Sequence, residues 1–97
     1  MYSDEAISGV YGLLKSTPEG GLRKMLMSGE LTEVHFRLLM KIAKGCSEAD
    51  FITSFKEEKL PTMRYSPAES KIKEHFWKIC KNKFSSLGLL SLGAKAA

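Results

Sequence analysis

The fold is decided by two stretches, LTEVHFRLLMKIAKGCSEADFITSF at residues 31–55 and SPAESKIKEHFWKICKNKF at residues 66–84. In the first stretch, apolar residues recur every three to four positions on both sides of Gly45, which predicts two helices joined by a tight turn. We expect Gly45 to end the earlier helix in the left-handed backbone region. In the second stretch, Ser66, Pro67 and Glu69 satisfy three rules for a helix start, so we expect a helix from Pro67 to about Phe84.

The rest of the chain extends the same helical pattern. Ser3 is typical of a cap for a first helix that ends before Pro18, and Pro18 can open a short second helix that stops near Gly29. Thr32 and Ser47 are typical caps of the third and fourth helices, and residues 56–65 are predicted to form a loop. No run alternates with period two. The sequence therefore predicts an all-α fold of four or five helices.

We expect one domain over residues 1–97, because this length fits a single small core. Within it, residues 1–30 form an N-terminal helical extension, residues 31–87 a helix-turn-helix-like core and residues 88–97 an apolar tail. The fifth helix should bury one face, and Trp77 is expected to lie partly buried beside Phe76. The residues predicted to share that buried face are Ala68, Ile72, Phe76, Ile79 and Cys80.

Composition excludes several classes of protein. The two cysteines lack a C-x-x-C spacing and are too few for a disulfide scaffold, which favours a reducing, cytoplasmic setting. Acidic residues near the start argue against a secretory signal, and no apolar run approaches the roughly 20 residues of a membrane span. We expect neither a cofactor nor a metal, because His35, Cys46, His75 and Cys80 lack zinc-site spacing. Catalytic motifs are also missing from the sequence, so an enzyme is not expected.

The positive charge is concentrated in the second half of the chain. The net charge is +4, with six Lys/Arg against seven Asp/Glu in residues 1–50 and nine against four in residues 51–97. A lysine-rich helix can release counterions from DNA phosphates, while residues near its start read bases in the major groove. The candidate DNA-contacting residues are Arg64, Ser66, Ser70, Lys71, Lys73, Glu74, His75, Lys78 and Lys81.

Residues 31–87 resemble the LuxR-type (GerE-type) DNA-binding domain. The family's opening Leu-Thr, its Ile-Ala-x-Gly turn and the serine after that turn fall on Leu31-Thr32, on residues 42–45 and on Ser47. Its later serine-led helix, with apolar residues on either side of a histidine, is matched by Ser66 and His75 together with Ile72 and Ile79. Residues 56–65 are longer than the family's corresponding turn. The resemblance implies sequence-specific DNA binding by a transcription regulator that is usually dimeric.

Other interpretations of the same residues stay open. The lysines of the fifth helix can simply form a solvated face. The Met25-Leu26-Met27 cluster, Trp77 and the tail at residues 87–97 are also typical of a protein-interaction adaptor or an inhibitor of a larger complex. Either the first helix or the tail can supply a contact to a second copy or to a protein partner. RNA binding shares the charge argument, but the sequence predicts no aromatic-bearing sheet of the kind used by many single-strand readers.

Overall fold

A computed structural model describes residues 2–90 of the chain. Within these residues there is no β-strand, only an isolated bridge between Ser28 and Leu31. The prediction of an all-α fold with four or five helices is confirmed. The helices are α1 (Asp4–Ser16), α2 (Glu19–Leu26), α3 (Glu33–Gly45), α4 (Glu48–Glu57) and α5 (Pro67–Ser86).

Side-chain caps define where most of the helices begin. Ser3 and Ser47 each accept a hydrogen bond from the backbone N–H three residues later, at 3.1 and 3.2 Å. At α5, Ser66 accepts from the Glu69 backbone N–H at 3.2 Å, and Glu69 accepts from the Ser66 backbone N–H at 2.8 Å. This reciprocal capping box satisfies two N–H groups that the first turn of a helix leaves without partners.

Two glycines near helix ends have different roles. Gly88 has φ of 76°, and the N–H groups of Gly88 and Leu89 bond to carbonyls of the last turn of α5 at 3.0 and 2.9 Å. This is a left-handed glycine stop. Gly45, in contrast, is the last residue of α3 and is not among the positive-φ residues of the described chain. The predicted left-handed conformation at Gly45 is therefore wrong, and the glycine instead leaves room for Met63, whose Cε would lie 3.2 Å from an added Cβ.

Helix α3 lies at the centre of the fold and packs against α1, α4 and α5. The buried residues of α1, including Ile7, Val10 and Leu14, belong to the same hydrophobic core as those of the later helices. The segment predicted as an N-terminal extension is therefore an integral part of the core. Of the predicted tail, Leu90 is buried, and residues 91–97 lie outside the described residues.

The buried face of α5 is rotated from the predicted one toward its aromatic residues. Phe76 and Cys80 are buried as expected, but Ile72 and Ile79 are half-buried and Ala68 is exposed. Large rings determine the rotation because they remove the most apolar surface from water. Trp77 lies beside Phe76 as predicted, with ring centroids 5.0 Å apart, but at 2% exposed it is fully rather than partly buried. The residues of α5 that are buried are Phe76, Trp77, Cys80 and Phe84.

The predicted loop at residues 56–65 lies at residues 58–66, since α4 continues through Glu57. Hydrogen bonds hold this loop against the helices. The Trp77 indole Nε1 donates a hydrogen bond to the Lys59 carbonyl at 3.0 Å. The Lys41 ammonium donates to the Arg64 carbonyl at the other end of the loop. Both ends of the loop are therefore bound to residues of α3 and α5.

Candidate nucleic-acid interface

The exposed side of α5 carries four polar residues in one row. At 3.6 residues per turn, these positions lie within about 60° of one another around the helix axis and extend over about 16 Å. All four are exposed, and Asn82 is the member that the sequence-based candidate set did not include. The spacing of four, three and four residues between the members of this row would have identified Asn82 from the sequence. We call these residues the outer stripe of α5: Lys71, His75, Lys78 and Asn82.

Lys71 and Lys78 are the two lysines of the outer stripe, and their charge is available. Among residues 2–90, neither ammonium group forms an ion pair or a hydrogen bond with another side chain. Ser70 and Glu74 are exposed beside the stripe and also line a shallow cleft with Lys73 and Lys59. Lys73 therefore points toward the loop rather than along the outer stripe.

Lys81 does not share this environment, although it was predicted to contact DNA together with Lys71 and Lys78. Its Nζ lies 2.9 Å from a Glu58 carboxylate oxygen and 4.9 Å from the centroid of the Phe55 ring. Glu58 adopts the left-handed backbone conformation, with φ of 54°, at the end of α4. Through this ion pair and ring contact, Lys81 joins α5 to the end of α4. Its predicted role as a phosphate contact therefore has no geometric support.

Ser66 is also engaged within the chain. Both its hydroxyl and its backbone N–H belong to the capping box with Glu69, so neither is free to meet a phosphate oxygen without opening that cap. The Ser66 backbone N–H, followed by Lys41, lowers the pKa of the Glu69 carboxyl group, which keeps the cap charged at neutral pH. Arg64 is exposed next to the cap, where its side chain can reach a partner of α5.

A cleft of about 590 Å³ lies between α1, α4 and α5. Its lining combines Tyr2 and Phe55 with charged residues, of which Glu58 pairs with Lys81 and Lys56 pairs with Asp4. Within residues 2–90, no three His, Cys, Asp or Glu side chains are grouped as a metal would require. None of the helices in this part of the chain is long and apolar enough to cross a membrane.

Comparisons with protein-family models, with curated proteins and with solved structures find no match to this chain. The resemblance of residues 31–87 to the LuxR-type domain accordingly stays a prediction.

Proposed function

We propose that the protein is a small DNA-binding transcription regulator whose helix α5 docks in the major groove of duplex DNA. The observation that supports this most directly is the difference among the lysines of α5. Lys81 and Lys83 are engaged with Glu58 and Ser28, whereas Lys71 and Lys78 remain exposed on one side of the helix without an acidic partner among residues 2–90. A lysine held away from carboxylates can neutralise a phosphate and release its counterions.

The members of the outer stripe are expected to make different contacts with DNA. Lys71 and Lys78 bind phosphates, while His75 and Asn82 carry the hydrogen-bonding groups that can read base edges. Ser70 and Glu74 lie next to this row, so they too are within reach of bases near the start of the helix. A helix with its side chains is about 10–12 Å in diameter, which fits a major groove that is about 12 Å wide.

Other parts of the chain fit this proposal. Helices α3 and α4 are joined only by Cys46 and Ser47, and the basic helix α5 follows this compact pair after the loop at residues 58–66. Both cysteines are free thiols, which suits a regulator working in the cytoplasm. A homodimer would present two copies of α5 to a site with two-fold symmetry.

The adaptor alternative receives less support. Of the features that suggested it, Trp77 and Leu26 are buried and Met25 and Met27 pack against the core, whereas most of the tail at residues 87–97 lies outside the described residues. No described surface combines exposed aromatic and methionine side chains in the way an adaptable protein interface does. We therefore place DNA binding first.

The test is fluorescence anisotropy of a labelled mixed-sequence DNA duplex, titrated with protein across a salt series. We expect micromolar binding whose log–log salt slope becomes about 0.9 shallower in each of Lys71→Gln and Lys78→Gln. The matched control is Lys56→Gln, which removes the same charge from α4, where Lys56 pairs with Asp4 at 2.8 Å, and should leave the slope unchanged.

Two outcomes would overturn the proposal. One is the absence of binding even at low salt. The other is an equal effect of all three substitutions, which would indicate attraction by net charge rather than docking of α5. Either outcome would favour the adaptor alternative, and affinity capture of a protein partner would be the next experiment.

A further inference from the structure

The central helix α3 carries a second row of cations. Most of α3 is buried, so only a narrow strip of it reaches solvent. That strip holds Arg37, Lys41 and Lys44, whose spacing of four and three residues keeps them on one side of the helix. We call these three residues the α3 stripe. The spacing is visible in the sequence, but only the burial of the rest of α3 shows that the stripe is its exposed side.

Arg37 is positioned to bind an anion. Its side chain is 73% exposed, and its Nε donates to the Glu33 carboxylate at 2.9 Å. No other partner of this guanidinium lies among residues 2–90, so its terminal N–H groups remain available. Glu33 also binds Arg23, at 2.5 Å, and the two guanidinium groups lower the pKa of its carboxyl group to about 2. Glu33 is charged at neutral pH and belongs to a chain of ion pairs with Arg37, Arg23 and Glu19, which offsets part of the positive charge of Arg37. The Glu33 carboxylate fixes Arg37 through its Nε, and the terminal N–H groups suit the planar, two-pronged recognition of a phosphate.

Lys41 places this stripe next to the start of α5. Its Nζ lies 3.0 Å from a Glu69 carboxylate oxygen and also bonds to the Arg64 carbonyl. At the opposite end, the Lys83 ammonium lies 2.5 Å from the Ser28 hydroxyl, just before α3. Helices α3 and α5 therefore run side by side in opposite directions.

The outer stripe and the α3 stripe lie on neighbouring helices, and the α3 stripe also lines a cleft with Glu19 and Arg23 of α2. Asn82, the last member of the outer stripe, lines a small cleft together with Ile79 of α5 and with Glu30 and Leu31, which lead into α3. Axes of packed helices are roughly 8–10 Å apart, which is comparable to the width of about 12 Å of the DNA major groove. A duplex that receives α5 in its groove would thus have the phosphates of one groove edge near the α3 stripe.

We infer that Arg37 and Lys44 form a second phosphate-binding row, which binds the sugar–phosphate backbone of the same DNA duplex that α5 enters. This inference rests on the proposed function, since it assumes that α5 is the groove-binding helix. Lys44 is exposed and has no ion pair within residues 2–90, and Arg37 keeps its outer N–H groups free. Duplex DNA is the occupant that the charge favours, because the row is cationic and runs beside the lysines of the outer stripe.

The experiment repeats the salt series with Arg37→Gln and Lys44→Gln. We expect each substitution to weaken binding about threefold to tenfold near 0.1 M salt and to make the log–log slope about 0.9 shallower. Both side chains are exposed, so folding should be retained, which far-UV circular dichroism can check. Lys56→Gln serves as the control for loss of one charge on a different side of the molecule.

The outcomes separate this inference from the proposed function. If Lys71→Gln and Lys78→Gln reduce the slope while Arg37→Gln and Lys44→Gln behave like Lys56→Gln, the second row is absent and the role of α5 stands. If all four substitutions reduce the slope and the control does not, both proposals are supported. If the wild-type protein does not bind duplex DNA, or if none of the four differs from the control, both proposals fail.

Discussion

His35 occupies a position in α3 that glutamate or glutamine usually takes in a capping box. Its Nδ1 accepts a hydrogen bond from the Thr32 backbone N–H at 3.1 Å and lies 2.8 Å from the Thr32 hydroxyl. Accepting that bond requires an unprotonated Nδ1. The ring is also buried, and this burial lowers the pKa of His35, although Glu30 opposes the shift. The start of the central helix therefore depends on a neutral imidazole.

At this residue we predict a loss of stability in mild acid. Above the unfolded-state pKa of about 6.5, the ring is neutral in both states and costs nothing. As the pH falls below that value, the unfolded chain binds a proton before the folded protein does, so the free energy of unfolding decreases until the folded ring is protonated as well. His35→Gln keeps an acceptor at the cap without titrating, and should flatten this decline in urea denaturation measured from pH 7 to pH 5.

His75→Gln is the matched control, because it removes the exposed imidazole of α5 and leaves the cap at Thr32 intact. The decline with pH should persist in that variant. A decline that is the same in wild type and in His35→Gln would show that another group is responsible.

At the scale of elements, three sides of helix α5 have different surroundings. Its aromatic side fills the core, its outer stripe faces solvent, and the side near Trp77 and Lys81 holds the end of α4 and the loop at residues 58–66. The loop contributes few buried residues of its own, so its order depends on a small number of hydrogen bonds to its neighbours. The indole bond to the Lys59 carbonyl is one of these.

We predict that Trp77→Phe loosens this loop. The ring that fills the core is largely retained, but the bond from Nε1 to the Lys59 carbonyl is lost, which should cost about 1 kcal/mol or somewhat more with the reduced volume. Hydrogen–deuterium exchange should become faster in residues 59–65. Ser3→Ala, which removes the cap of α1 at a similar cost of about 1 kcal/mol, should not change exchange in the loop. Equal acceleration in both variants would mean that the loop responds only to global stability.

At the scale of the whole molecule, one hydrophobic core joins all five helices. The rings of Phe51, Phe55 and Trp77 meet edge to face or tilted, with centroids 5.4 to 6.3 Å apart, and Phe84 stacks on Phe55 at 6.3 Å. Cys80 lies in this core with no exposed surface, and burial raises the pKa of its thiol. Because thiolates are the reactive form, Cys80 should be inert in the folded protein.

We predict that Cys80 reacts with a thiol reagent only when the whole core opens. In a Cys46→Ser background, the labelling rate of Cys80 should rise with urea with the same dependence as global unfolding. Cys46 is half-buried, so in a Cys80→Ala background it should be labelled with a weak dependence on urea. Rapid labelling of Cys80 without denaturant would show instead that α5 separates from α3 while the remaining helices stay folded.

The sequence by itself determined the helical class and most helix starts, because those signals act within about four residues. Ser3, Ser47 and the Ser66–Glu69 box all cap the helices that their spacing predicts. The lysines of α5 were also visible in the sequence. Their division into exposed and engaged groups was not, since the partners of Lys81 and Lys83 are 23 and 55 residues away along the chain.

Only the tertiary structure decided which face of α5 is outward and which cations stand beside it. The aromatic core rotated the buried face toward Trp77 and Phe84, and the contact between Lys41 and Glu69 brought two helices together across 28 residues. Such contacts depend on how side-chain volumes fill a shared interior, which no local pattern specifies. The candidate interface was therefore predictable as a basic helix, but its outer stripe and the neighbouring α3 stripe follow from packing.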